Sequence, residues 1–178
     1  NADGRPDLYL SYMDGPNRLY LNEGGSSPEQ WNFREAGAAA GVTKPDSSFP
    51  TWFFDYDNDG DEDIFVVNFD NYLLKQQSHE MVADFLDLPL RTTYSRLYQN
   101  DGTGVFTDVT VNTGLDQVLP AMGCNFGDLD NDGFPDFYLG TGAPDFRAVV
   151  PNLMFKNDAG ERFKNVTYAG GFGHIQKG

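Results

Sequence analysis

The sequence is short of several things at once. A lone cysteine, Cys124, in 178 residues excludes an internal disulfide framework and a cysteine-based zinc site. No run of about 18 apolar residues occurs, so no membrane-spanning helix is expected. Asn1 to Gly4 carry neither a basic stretch nor an apolar one, and no leader peptide is read there. Positive charge is scarce: 12 Lys+Arg against 27 Asp+Glu give a net charge of −15. Such a chain lacks the basic footprint that phosphate backbones require, which argues against a nucleic-acid partner. Glu is scarce too, at 6 against 21 Asp. Glu suits helix interiors, whereas Asp suits turns, caps and hard-cation sites. With 20 Gly, 10 Pro and 15 Phe, the balance points to a chain rich in strands and loops. The 39% of hydrophobic residues is too many for a disordered acidic chain, so a core is expected.

What is present is a repeat. Asp55, Asp57, Asp59, Gly60 and Asp63 follow the pattern D-x-D-x-D-G-x-x-D, and Asp128, Asp130, Asp132, Gly133 and Asp136 repeat it. Asn1, Asp3, Gly4 and Asp7 fit the same pattern with its first two positions missing. The expectation is that the chain starts inside a repeat and is a piece of a longer protein. The flanks repeat as well. After each acidic loop comes a short apolar strand at 8–10, 64–67 or 137–139. A second strand follows at 17–22, 95–100 or 151–157. A Gly-containing turn then leads to a third strand at 31–35, 105–110 or 162–167. A further strand, at 49–54 or 122–127, runs into the next acidic loop. Each unit therefore holds four short strands. Four-stranded units repeated radially are the blades of a β-propeller, so the expected fold is all-β. The reading divides the chain into blade remainder 1–42, blades 43–115 and 116–169, and a lead-in at 170–178. That is about two and a half blades. A propeller needs roughly four to eight, so further blades or other copies are needed to complete it.

The acidic loop reads as a calcium site. Oxygens at loop positions 1, 3 and 5 converge, Gly at 6 allows the sharp turn, and a carbonyl at 7 adds a ligand. The expected ligands are Asp55, Asp57, Asp59, the Asp61 carbonyl and Asp63 in one site. In the other they are Asp128, Asp130, Asp132, the Phe134 carbonyl and Asp136. A third, truncated site keeps Asn1, Asp3, the Arg5 carbonyl and Asp7. Position 12 is Val66 or Leu139, neither of which can ligate, and the apolar run after each loop is a strand. Both points argue against an EF-hand. Carboxylates crowded within about 4 Å repel by roughly 1–4 kcal/mol per pair without a cation. The calcium is read as structural. Affinities of about 10⁻⁴–10⁻³ M, usual for extracellular modules, would load in external calcium and not in cytosol. An extracellular or periplasmic location follows as an expectation.

On these motifs the whole chain resembles the FG-GAP/VCBS repeat, the calcium-loop propeller blade shared with integrin α-subunit heads. The matching phrases run over residues 17–22, 96–102 with 106–110, and 126–133. More narrowly, they are similar to bacterial secreted proteins of the ASPIC/UnbV and cartilage-acidic-protein type. The resemblance implies a seven-bladed propeller used for adhesion or ligand binding. It implies no reaction.

Strand alternation puts the calcium loops on one face of the propeller and two insertions, 68–94 and 140–150, on the other. Long loops on a rigid scaffold concentrate function, so a protein or glycan ligand is expected on the insertion face. Within the longer insertion, Ser78 reads as the cap of a short helix with Met81, Val82, Phe85 and Leu86 on one side. That helix either packs over the blade or forms a partner-binding knob. In the shorter insertion, Asp145 and Arg147 either bind a sugar or peptide or pair with each other. Catalytic candidates are weak. His79-Glu80 starts like H-E-x-x-H, but Ala83 stands where the second His belongs. Cys124 reads as a small buried hydrophobe, His174 is the one acid–base candidate, and Asn165 opens an N-glycosylation pattern that can equally be plain strand sequence. No enzyme is read. Two alternatives to an adhesion module stay open: a structural subunit of an extracellular assembly, and the propeller of a carbohydrate-active enzyme.

Overall fold

Along the strand at 63–68, Phe65 and Val67 point to one side and Ile64 and Val66 to the other, and all four are buried. A strand hydrophobic on both faces needs a layer on each side of it. The computed structural model, which describes residues 1, 3–70, 72–142 and 150–174, shows those layers. Strands β1 (Leu8–Leu10), β2 (Arg18–Gly24) and β3 (Asn32–Glu35) form the first sheet, in that order. A short helix α1 (Gly37–Ala40) leads to β4 (Ser48–Phe54), β5 (Asp63–Asn68), β6 (Arg96–Asn100) and β7 (Phe106–Asp108), the second sheet. The third is β8 (Ala121–Gly127), β9 (Asp136–Thr141), β10 (Leu153–Asp158) and β11 (Arg162–Asn165). Neighbours pair antiparallel throughout, each sheet running in chain order. These are propeller-type blades, and the first has three strands among the described residues. The chain is a β-propeller-like segment.

Neighbouring blades stack through their faces. Tyr9, Leu19 and Leu21 of the first blade pack with Ile64, Val66 and Tyr98 of the second. Phe65, Val67 and Leu97, on the other side of the second blade, pack with Phe137, Phe155 and Phe163 of the third. Phe137 lies at the centre of this second cluster. Its ring centroid is 4.9 Å from those of Phe155 and Phe163, 5.3 Å from Phe65 and 6.0 Å from Trp52. The leading strands β4 and β8 also approach each other, as the inner strands of adjacent blades should.

The insertion between β5 and β6 forms helix α2 (Leu73–Phe85), which is capped at Tyr72, six residues before the expected Ser78, and is kinked at Gln76. Of the two placements open for its apolar side, packed on the blade or turned outward, most of that side turns outward. Gln77, Glu80 and Ala83 are buried, and Met81 packs on the core, while Val82, Phe85 and Leu86 are exposed. The physical reason is hydrogen bonding. Gln77 Nε2 donates to the Gly142 carbonyl, and Glu80 Oε2 accepts the backbone N–H groups of Arg91 and Thr92. Asp84 accepts from Tyr94 Oη and from the Val118 N–H. Tying the insertion to two blades takes the polar residues inward and turns the apolar ones out. Asp145 and Arg147 lie outside the described residues.

Candidate metal centre

Each acidic loop closes the hairpin between the first two strands of its blade. Phe54 pairs with Asp63, and Gly127 with Asp136, so loop position 9 sits opposite the residue just before position 1. The eight residues between must fold back sharply. Asn58 and Asn131, at position 4, take φ 59°, and Gly60 and Gly133, at position 6, take φ 94° and 92°. Asn tolerates the left-handed region better than most side chains, and Gly is free of its penalty. The position-1 carboxylate then organises the turn. Asp55 accepts the N–H groups of Asp59 and Gly60, and Asp128 accepts those of Asp132 and Gly133, at 3.0–3.1 Å.

This folding brings carboxylate oxygens of Asp55, Asp57 and Asp63 within 4.8 Å of one another, and likewise those of Asp128, Asp130 and Asp136. Positions 1, 3 and 9 are thus gathered in both loops. Position 5 lies outside these tight groups: Asp59 accepts the Asp61 N–H, and Asp132 the Phe134 N–H. In the N-terminal loop the arrangement differs. Asp3 accepts from the Asn1 side chain and from the Arg5 backbone and guanidinium, while Asp7 accepts the Asn22 N–H and the amino group of Asn1. Among the described residues, no third group of three carboxylates forms there.

In the 55–63 loop burial, and after it crowded like charge, works against ionised carboxylates. Asp63 is fully buried, and burial pushes its carboxyl up to about 7, although backbone amides of Asn100 and Tyr56 favour its ionised form. The neighbouring Asp57 and Asp59 add to the shift. Burial, then the Asp59 charge, also raises Asp57. One Asp57 oxygen accepts from Gln99 Nε2 at 2.6 Å, and the other, Oδ1, is buried with no hydrogen-bond partner. A carboxylate with an orphaned buried oxygen, clustered with two others, is the donor set that a hard cation takes. The residues therefore fit calcium.

Sequence reasoning missed the asparagine that each blade carries on the strand after the one leaving its acidic loop, at 22 on β2, 100 on β6 and 157 on β10. Asn22, Asn100 and Asn157 each donate their backbone N–H to the position-9 carboxylate: Asp7, Asp63 and Asp136, each at 2.8 Å. Their side-chain amides donate to the position-8 carbonyls of Pro6, Glu62 and Pro135. Their side-chain oxygens accept the N–H of Gly24, Gly102 or Gly160 in the next turn. One residue thus locks the acidic loop to the hairpin beside it. The signal was there in the recurrence of Asn at 22, 100 and 157, which turn chemistry alone already explained. The blades are also pinned to each other at this face: Asn157 Nδ2 reaches the Tyr56 carbonyl and Asn58 Nδ2 the Gly133 carbonyl, both at 2.7 Å.

The other candidates take structural places. Cys124 packs against the core of β8, where burial pushes its thiol pKa up and away from nucleophilic use. Thr167, the hydroxyl of the glycosylation pattern, is buried and accepts the Met154 N–H, just as Thr110 accepts the Leu97 N–H one blade earlier. His174 accepts the Asn152 N–H through its backbone carbonyl. His79 leans on the buried Glu80, whose second oxygen is the loop anchor described above.

Comparison with known families gives one match. Residues 1–66 and 55–139 each fit the model of the FG-GAP-like repeat, the two matches overlapping on the 55–63 loop. Among curated proteins none matches the chain. No helix of the described residues is long and apolar enough to cross a membrane.

Proposed function

From the premise that this chain belongs to the FG-GAP-like repeat family, we propose that it is a calcium-stabilised segment of an extracellular β-propeller that binds a ligand and catalyses nothing. The observation that carries the reading is the pair of carboxylate triads, each held in place by backbone amides and the first containing a buried oxygen with no partner. Calcium would be held by Asp55, Asp57 and Asp63 and by Asp128, Asp130 and Asp136, with Asp59 and Asp132 and the carbonyls of Asp61 and Phe134 completing the shells. Bound there, the ion neutralises carboxylates that the fold brings together. An extracellular location belongs to the proposal: at the affinities of about 10⁻⁴–10⁻³ M usual for extracellular modules, such loops would fill only where calcium is abundant. The N-terminal loop, with Asn1, Asp3, Arg5 and Asp7, belongs to the same series as a partial site.

For the ligand, the insertion face is favoured by α2, which presents Val82, Phe85 and Leu86 to solvent, with Leu88 exposed just beyond it. Apolar side chains held outward by a buried polar scaffold suit a protein surface better than a glycan.

Asp57→Asn tests the calcium reading without disturbing the loop, because asparagine keeps an oxygen for the Gln99 amide. In EGTA the variant should be as stable as the native chain, or more so, since a desolvated charge is gone. In calcium at about ten times Kd it should lack the contribution of the 55–63 loop, about 1.4 kcal/mol by linkage. Equal stabilisation of both proteins by calcium in denaturant titrations would sink the assignment.

A further inference from the structure

The two acidic loops are alike in backbone and unlike in charge. Position 3 of each is met by a residue of the blade's third strand, β6 or β10, one residue before the locking asparagine. In the second blade that residue is Gln99, a neutral donor to Asp57. In the third it is Lys156, whose ammonium pairs with Asp130 and lies 3.5 Å from Asp132. Position 7 differs in the same sense, with Asp61 in one loop and Phe134 in the other. The 55–63 loop therefore has six carboxylates and no cation of its own. The 128–136 loop has four carboxylates and one ammonium.

Resting on the calcium reading above, we infer that the loops load in sequence, the 55–63 loop first, and that Lys156 sets the gap. An ammonium about 5 Å from a divalent cation in a water-like dielectric weakens binding by roughly tenfold. Moving it away instead breaks its pair with Asp130, so the gap survives in reduced form. Gln99 does the reverse for its own loop. It orients one Asp57 oxygen and leaves Oδ1, which has no partner, for the ion. The Lys156 ammonium thus acts as a built-in competitor that keeps the third blade's loop open until calcium is higher.

Calorimetric titration of the 178-residue chain with calcium chloride tests this. The native chain should show two classes of site about tenfold apart, the tighter lost in Asp57→Asn and the weaker lost in Asp130→Asn. Lys156→Gln should tighten the weaker class by up to tenfold and bring the two together. Gln99→Lys, an exchange at the matching position, should weaken the tighter class by a similar factor. Two equal classes in the native chain, or a weaker class that Lys156→Gln leaves unmoved, would overturn the inference while leaving calcium binding intact. A chain that takes up no calcium at all would overturn the calcium reading with it.

Discussion

Truncating Phe137 to alanine should destabilise the chain by about 3–5 kcal/mol. Phe137 is 1% exposed and touches four other aromatic rings drawn from two blades. Removing it leaves a cavity between faces that are fixed by their own hydrogen-bond ladders, so little collapse is available to fill it. The unfolding midpoint should fall by on the order of 10 °C for a chain of this length. Tyr168→Ala provides the control. Tyr168 is 78% exposed, and its loss should stay within about 0.5 kcal/mol. Comparable losses at both positions would mean that the blades do not stack through Phe137.

Asp63→Ala should have the second largest effect, and it separates two roles of one carboxylate. Asp63 accepts the N–H groups of Tyr56 and Asn100, and its removal leaves both without an acceptor. Each buried amide left unsatisfied costs about 1–3 kcal/mol. Part of this is returned, because the lost carboxylate was resisting its charge in a buried place. A net loss of about 2–4 kcal/mol is expected in EGTA. In calcium the gap to the native chain should widen by about a further 1.4 kcal/mol, as the loop can no longer hold its ion. Asp57→Asn shows only the second of these components. If Asp63→Ala matched the native chain in EGTA, the buried carboxylate would not be the structural lock described here.

Much of the fold is legible in the sequence because propeller blades are local. Each strand of a blade pairs with its neighbour in the chain, and the D-x-D-x-D-G-x-x-D loops mark one fixed strand in each blade, β5 and β9 in the two complete ones. Strand periodicity then leaves few alternatives, and all three sheets follow the expected order. The candidate site was legible to the same depth. Positions 1, 3 and 9 gather, and one oxygen of each position-5 carboxylate accepts a backbone amide. Residues whose partners lie far along the chain were not legible. Nothing local in Glu80 says that it will be buried beneath Arg91 and Thr92. Helical periodicity gathered Val82 and Phe85 on one side without saying whether it packs or faces out, and the partners of Gln77, Glu80 and Asp84 decided that. Lys156 and Gln99 gain their meaning from the loop of their own blade, which lies 26 and 42 residues away.

The central claim is that the two acidic loops are calcium sites that hold the blades together. The most direct measurement is thermal unfolding of the 178-residue chain in EGTA and in about 10 mM calcium, with the bound ions counted by calorimetry. At the affinities usual for extracellular modules, two filled sites should raise the midpoint by roughly 5–15 °C. Two ions should bind per chain. An unchanged midpoint together with no measurable uptake of calcium would contradict the account.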